Sequence, residues 1–221
     1  MPSKGYSYSV IGSREMNQDS FLILEEKELY AVADGVGGGL KGEVASKMAV
    51  DGLQGFPSTE KSFVPTIEKI QEAILKEAYE TLGEPVMGTT LTAVRLVGAE
   101  ALMGHVGDSH LYHYSDSHLK LLTVDHELFD ETMGGTVLAS YLGIESEEHP
   151  LQIQEDRFTV KAGDKLLLCT DGLYRQLTDH RIAHLIQQHQ KDPKALVTAL
   201  CAEASSAQYS DNVTVVFVEV L

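Results

Sequence analysis

Four aspartates share one placement in this chain of 221 residues. Asp34 ends the apolar run "LYAVAD", Asp108 follows "LMGHVG", Asp171 ends "KLLLCTD" and Asp211 opens "DNVTVVFV". Each stands at the lip of a β-type run, and in an antiparallel pair the end of one strand lies beside the start of its neighbour. The four would therefore meet at one edge of two packed sheets. Carboxylates brought that close raise each other's pKa and stay ionised together only where cations compensate them. An all-oxygen donor set favours a hard cation, Mg²⁺ or Mn²⁺. Two such ions about 3.5–4 Å apart, bridged by one carboxylate, would activate a water and clamp the oxygens of an in-line displacement. The glycines of "DGVGGG" would let the backbone turn behind Asp34 and bring a carbonyl, such as that of Gly35, to the metal. Taken singly, each Asp-Gly is more simply a turn dipeptide. It is the conjunction that points to a site: "DGVGGG", "GDS", "TDGL" and "SDN" all sit at strand ends, joined by the arginine–carboxylate cluster of "SREMNQDS".

The elements that must position these residues are mostly strands. Partial alternation with β-type residues recurs in "YSYSVIG", "FLILEE", "LYAVADG", "GTTLTAVRLV", "ALMGHVG", "HLYHYS", "HLKLLTV", "LQIQEDRFTV", "KLLLCTDG" and "NVTVVFVEV". Helical stretches come in pairs, over Glu43–Phe56 and Phe63–Leu82 and again over Asp179–Gln190 and Pro193–Gln208. The second has Ile67, Ile70, Ile74 and Ala78 at helical spacing. Strands in blocks with paired helices do not follow the strict alternation of a doubly wound parallel sheet. Two packed, mainly antiparallel sheets with helix pairs on the outer faces fit better, within one domain. The least regular stretch, Asp125 to Pro150, reads as a flap beside a site, with a short helix around Thr136–Leu142 as the alternative.

Composition removes several function classes. A formal charge of -16, without basic runs or a basic helix face, argues against nucleic acid or an anionic membrane as the partner. Cys169 and Cys201 lack a C-x-x-C spacing and suggest neither a disulfide framework nor a thiolate metal site. No signal-type start and no apolar run of about 18–20 residues appears, so a cytoplasmic location is expected. "DGVGGGLKGE" lacks the order of a P-loop.

At these residues the sequence resembles the metal-dependent protein phosphatases of the protein phosphatase 2C (PP2C, PPM) family, in their compact bacterial serine/threonine form. The matching segments are "GSREMNQDS", "AVADGVGG", "GEVAS", "GTTLTAV", "GHVGDSHLY", "LTVDHEL", "LCTDGLYRQLTD" and "SDNVTVVFVEV", in the family's order and across nearly the whole chain. The resemblance implies an α+β fold: a four-layer α-β-β-α sandwich over residues 1–221, with a flap at about 125–150. It implies hydrolysis of phosphoserine and phosphothreonine at a binuclear Mn²⁺/Mg²⁺ centre without a covalent phosphoenzyme. By motif, Asp34 would bridge both ions, the Gly35 carbonyl would bind one, and Asp171 and Asp211 would complete the other's ligands. Asp108 matches the aspartate linked to a third, weaker metal position. Asp19 would orient metal-held waters, and Arg14 would hold the phosphate with its bidentate fork. The implied partners are phosphorylated serine/threonine proteins and an opposing bacterial kinase, for a cytoplasmic monomer. A second reading is a catalytically inactive module of the same fold that binds phosphoproteins; the joint presence of Arg14, Asp34, Asp171 and Asp211 speaks against it.

The chain also departs from the family. Val36 stands where many eukaryotic members carry the histidine thought to protonate the leaving group, His110 replaces the arginine after "VGDS", and the stretch after "LTVDHEL" is shorter. Among other signals, His180, His184 and His189 read as a solvated helix face, and His126, after Asp125 at the start of the flap, either reaches the site or takes a capping or surface role. Thr89 and Thr90 read as strand residues, and Met48, Met87 and Met103 as core filler.

Overall fold

A computed structural model describes residues 2–36, 40–57, 61–132, 134–145 and 150–221. Gly37–Gly39 of the glycine cluster and residues 146–149 of the expected flap lie outside the described residues. One sheet is built from β1 (Ser3–Val10), β6 (His110–Ser115), β7 (His118–Leu121), β11 (Lys165–Cys169) and β12 (Val213–Val220), in the order β1-β12-β11-β6-β7. The other takes β2 (Asp19–Leu24), β3 (Leu29–Asp34), β4 (Leu91–Val97), β5 (Glu100–Val106) and β10 (Gln154–Thr159), in the order β10-β5-β4-β3-β2. Every pairing is antiparallel. Helices α1 (Gly42–Gln54) and α2 (Val64–Leu82) pack with the second sheet, and α4 (Asp179–Gln188) and α5 (Pro193–Ala204) with the first. The short α3 (Asp171–Tyr174) follows β11 directly.

The period of two explains why the central strands read as unbroken apolar runs: both of their faces are covered. In β3, Leu29, Ala31 and Ala33 face α1 and α2, whereas Tyr30 and Val32 face the opposite sheet. In β12, Val213, Val215 and Phe217 join the α4/α5 side, and Val216, Val218 and Val220 the inter-sheet seam. Three apolar seams thus hold four layers together. The helices end where local chemistry stops them. Pro65 lies in the first turn of α2 and Gly83 closes it at φ +80, while the side chains of Thr178 and Asp192 accept from Arg181 and Ala195 to cap α4 and α5.

The flap stretch is a hairpin, not a helix. Strands β8 (Glu127–Asp130) and β9 (Gly135–Leu138) pair antiparallel, and the Asp130 carboxylate accepts from the N–H and the hydroxyl of Thr132 in the turn. With Gly134 at φ +66, this turn chemistry outweighs the helical spacing of Thr136–Leu142. No helix among the described residues is long and apolar enough to cross a membrane.

Candidate active site

The aspartates meet at one end of the sandwich. Asp19 opens β2 and Asp34 closes β3, and the two are register partners directly across the ladder. Like charges in that relation are destabilising. Asp108 lies in the connection from β5 to β6, Asp171 begins α3 at the end of β11, and Asp211 precedes β12 by two residues. A cleft of about 120 Å³ is lined by Asp34, Gly35, Val36, Asp108, Asp171 and Asp211, with Arg14, Thr90 and Asn212 on its walls. Asp19 does not line it and sits behind: its Oδ2 accepts from the Thr170 hydroxyl at 2.9 Å, while its buried Oδ1 has no hydrogen-bond partner.

The backbone that presents Asp34 is held from both sides. The Asp34 N–H donates to the Thr90 hydroxyl at 2.9 Å, and its carbonyl accepts from the Thr90 N–H at 2.8 Å and the Thr89 hydroxyl at 2.9 Å. Thr89 and Thr90 are therefore more than strand formers. The Gly35 N–H donates to the Gln18 carbonyl, and a Cβ at Gly35 would stand 2.5 Å from the backbone of Gly42, so only glycine allows the chain to pass here. Asn212 does comparable service for Arg14. Its Oδ1 accepts from the Gln18 N–H, and its Nδ2 donates to the carbonyls of Ile11 and Met16, stapling the Ile11–Gln18 loop to the start of β12.

Electrostatics at this end are dominated by uncompensated acid. Burial lifts the Asp19 carboxyl to about 7 against the hydrogen bonds of Thr214 and Thr170, with Asp171 and Asp211 adding to the rise. Asp34 is pushed well above the ordinary carboxylate range by burial, then by Asp19, Asp171, Asp108 and Asp211. Burial and Asp171 lift Asp108 to about 6, although Arg175 opposes this. Two arginines supply the positive charge. Arg14 donates from Nε and Nη2 to Asp211 at 2.8 and 2.5 Å. Arg175 donates to Asp171, Asp108 and Glu127 at 2.8, 3.1 and 2.9 Å.

Among the described residues no three His, Cys, Asp or Glu side chains close around a single point, and Asp211 and Asp171 are engaged by these arginines. The donor set nevertheless fits hard divalent cations. It offers only oxygens, an enclosed carboxyl at Asp34, a buried Oδ1 at Asp19 with no partner, and a cleft wall at Gly35 with no side chain in the way.

The model for protein phosphatase 2C matches residues 7–202. The chain belongs to the protein phosphatase 2C family. Membership makes it a phosphoprotein phosphatase, a hydrolase acting on phosphate monoesters. It is 29% identical over 236 residues to the serine/threonine phosphatase Stp of Listeria welshimeri, covering 93% of this chain and 91% of that one. It is 30% identical over 232 residues to the serine/threonine protein phosphatase PstP of Mycobacterium tuberculosis, covering 94% of this chain and 43% of that one. Among solved structures it resembles PppA, a key regulatory component of T6SS in Pseudomonas aeruginosa, with a TM-score of 0.87 at 28% identity over 100% of this chain and 99% of that one. It also resembles the catalytic domain of PstP in complex with two manganese ions, with a TM-score of 0.82 at 26% identity, covering 99% of this chain and 98% of that one.

The histidines separate cleanly. His180 and His184 are exposed on α4, as a solvated face should be. His126 is buried rather than on the surface, and its ring accepts from the Gly107 N–H. His110 is buried as well, stacked on Tyr174 at 3.6 Å and bonded to Asp125 and the Tyr112 hydroxyl. None of them lines the carboxylate cleft. Sequence reasoning missed Arg175 and Glu127. Only the i,i+4 spacing of Asp171 and Arg175 hinted at their pairing.

Proposed function

We propose that this chain removes phosphate from phosphoserine and phosphothreonine in proteins, opposing a bacterial serine/threonine kinase. The observation that carries the reading is the convergence of Asp19, Asp34, Asp108, Asp171 and Asp211 at one end of the sandwich, in a family whose PstP member has been solved with two manganese ions. Asp34, the Gly35 carbonyl, Asp171 and Asp211 would hold two divalent cations, Mn²⁺ or Mg²⁺. Bound there, such ions neutralise the phosphate oxygens and bring a water towards deprotonation near neutral pH. Asp19 backs this group from behind the cleft and is kept in place by Thr170. Arg14 stands half-exposed at the rim, and the two donors it gives Asp211 match two phosphate oxygens in the same way. Val36 offers no proton and, among the described residues, no histidine lines the cleft, which leaves water as the group that would protonate the departing serine or threonine oxygen.

The test is turnover. Protein stripped with chelator should release phosphate from a phosphothreonine peptide only after Mn²⁺ or Mg²⁺ is restored. Metal binding without release from a panel of phosphoserine and phosphothreonine peptides would make the fold a phosphoprotein-binding module instead.

A further inference from the structure

Arg14 and Arg175 both face carboxylates of the cleft, but they are held very differently. Arg14 meets one carboxylate, that of Asp211, and its side chain is 54% exposed. Arg175 meets three, from three separate segments: Nε donates to Asp171 Oδ2, and Nη2 donates to both Asp108 Oδ2 and Glu127 Oε1. Of these, the Asp108 side chain is only 6% exposed.

The Asp108–Glu127 pair is prearranged by the backbone. Gly107, immediately before Asp108, exchanges two bonds with His126, immediately before Glu127. The His126 N–H donates to the Gly107 carbonyl at 2.8 Å, and the Gly107 N–H donates to His126 Nδ1 at 3.1 Å. Gly107 sits at φ +107 against Thr90, where a side chain would clash, so this turn cannot relax its carboxylate away. A buried carboxylate at Asp108 beside the partly buried one at Glu127 is favoured as a charged pair when a cation lies between them. A guanidinium is always charged and bonds carboxylates through a fixed fork, so it fills that role permanently.

We propose that Arg175 is a built-in counter-cation for Asp108 and Glu127, so that Asp108 is held by the protein and not by a metal ion, and that the same arginine ties the β8–β9 hairpin to Asp171. The inference rests on the two-ion reading above and corrects the expectation of a third ion at Asp108. Arg14, with one exposed partner, is displaced easily from Asp211. A divalent ion seeking Asp108 has to displace an arginine that Asp171 and Glu127 also hold in place.

Metal stoichiometry tests this without recourse to activity. Chelator-stripped protein is dialysed against excess Mn²⁺, passed through a desalting column and analysed for Mn per chain, with calorimetric titration as a second count. Wild type, Arg175→Lys and Asp108→Asn should each hold two ions. Arg175→Gln, which leaves three carboxylates without a cation, should hold three, and its amides over 127–138 should exchange hydrogen faster. Circular dichroism establishes that each variant is folded. Three ions in wild type, or one fewer in Asp108→Asn than in wild type, would overturn the proposal. So would two ions in a folded Arg175→Gln protein. If that variant does not fold, the Asp108→Asn count decides alone. Wild type that binds no metal would instead remove the two-ion reading itself, and this inference with it.

Discussion

The cross-strand pair of Asp19 and Asp34 should make the metal-free protein less stable as pH rises. The folded-state Asp19 carboxyl titrates at about 7, against 3.8 for an ordinary aspartate. Between those values the folded chain holds a proton that the unfolded chain has released, so stability falls as pH rises through this window and levels off above it. Moving one carboxyl that far costs the folded state roughly 3–5 kcal/mol at pH above 7. Asp19→Asn keeps an acceptor for the Thr170 hydroxyl and removes the charge. In chelator at pH 7.5 the variant should therefore be the more stable protein by about 2–4 kcal/mol, a rise in Tm of roughly 5–15 °C for a chain of this size. At pH 4.5 the gap should shrink to about 1 kcal/mol, because the unfolded carboxyl, at 3.8, is still partly protonated there. Mn²⁺ should narrow the gap at pH 7.5, since a cation in the cleft relieves the charge on the wild-type Asp19, and binding at 100 times Kd is worth about 2.7 kcal/mol. The assay is thermal and urea unfolding at the two pH values, with chelator and with Mn²⁺. A chelated wild type whose stability is flat or rising from pH 4.5 to 7.5, or an Asp19→Asn variant no more stable at pH 7.5, would refute the reasoning.

Three further substitutions probe the scaffold of the cleft. Asn212→Ala strands the Gln18 N–H and the Met16 carbonyl and removes one of two donors to the Ile11 carbonyl, and should cost about 2–4 kcal/mol in urea unfolding together with a fall in kcat/KM as the Arg14 loop loosens. Gly35→Ala drives a methyl group into the Gly42 backbone at 2.5 Å. A shift of about 1 Å at reacting groups costs on the order of 100-fold, so phosphate release should fall by that much while circular dichroism stays unchanged. Arg14→Ala should lower kcat/KM on phosphopeptides by about 10–100-fold, the worth of a charged hydrogen-bonded contact, and Arg14→Lys should recover only part of it because a point charge cannot reproduce the fork.

Much of this was legible because burial and chemistry write strong patterns. The β-type runs around Tyr30 to Asp34 and Val213 to Val220 could be read as strands, and their unbroken apolar character follows from the two covered faces. The second helix was visible from Ile67, Ile70, Ile74 and Ala78 at helical spacing. The convergence of Asp34, Asp108, Asp171 and Asp211 followed from their common placement at strand ends. What was not legible depends on contacts between distant segments. Nothing near Asn212 in the chain shows that it holds the Ile11–Gln18 loop. Glu127 and Arg175 are 48 residues apart and meet only because the hairpin folds over the β5–β6 turn. The hairpin itself was obscured because Thr136–Leu142 has helical spacing, and the turn at Asp130, Thr132 and Gly134 decides otherwise. His126 went inside because its ring completes the hydrogen bonding of Gly107, a partner 19 residues away.

The most direct test of the central claim is the initial rate of phosphate release from a phosphothreonine peptide by wild type and Asp171→Asn, each stripped with chelator and then titrated with Mn²⁺. Wild type should be inactive when stripped and gain a rate that saturates with Mn²⁺, while Asp171→Asn stays at least about 100-fold lower at every concentration, the loss expected on removing a group that anchors charge at the reacting centre. An Asp171→Asn protein that matches the wild-type rate, or a stripped wild type that turns over without metal, would contradict the account.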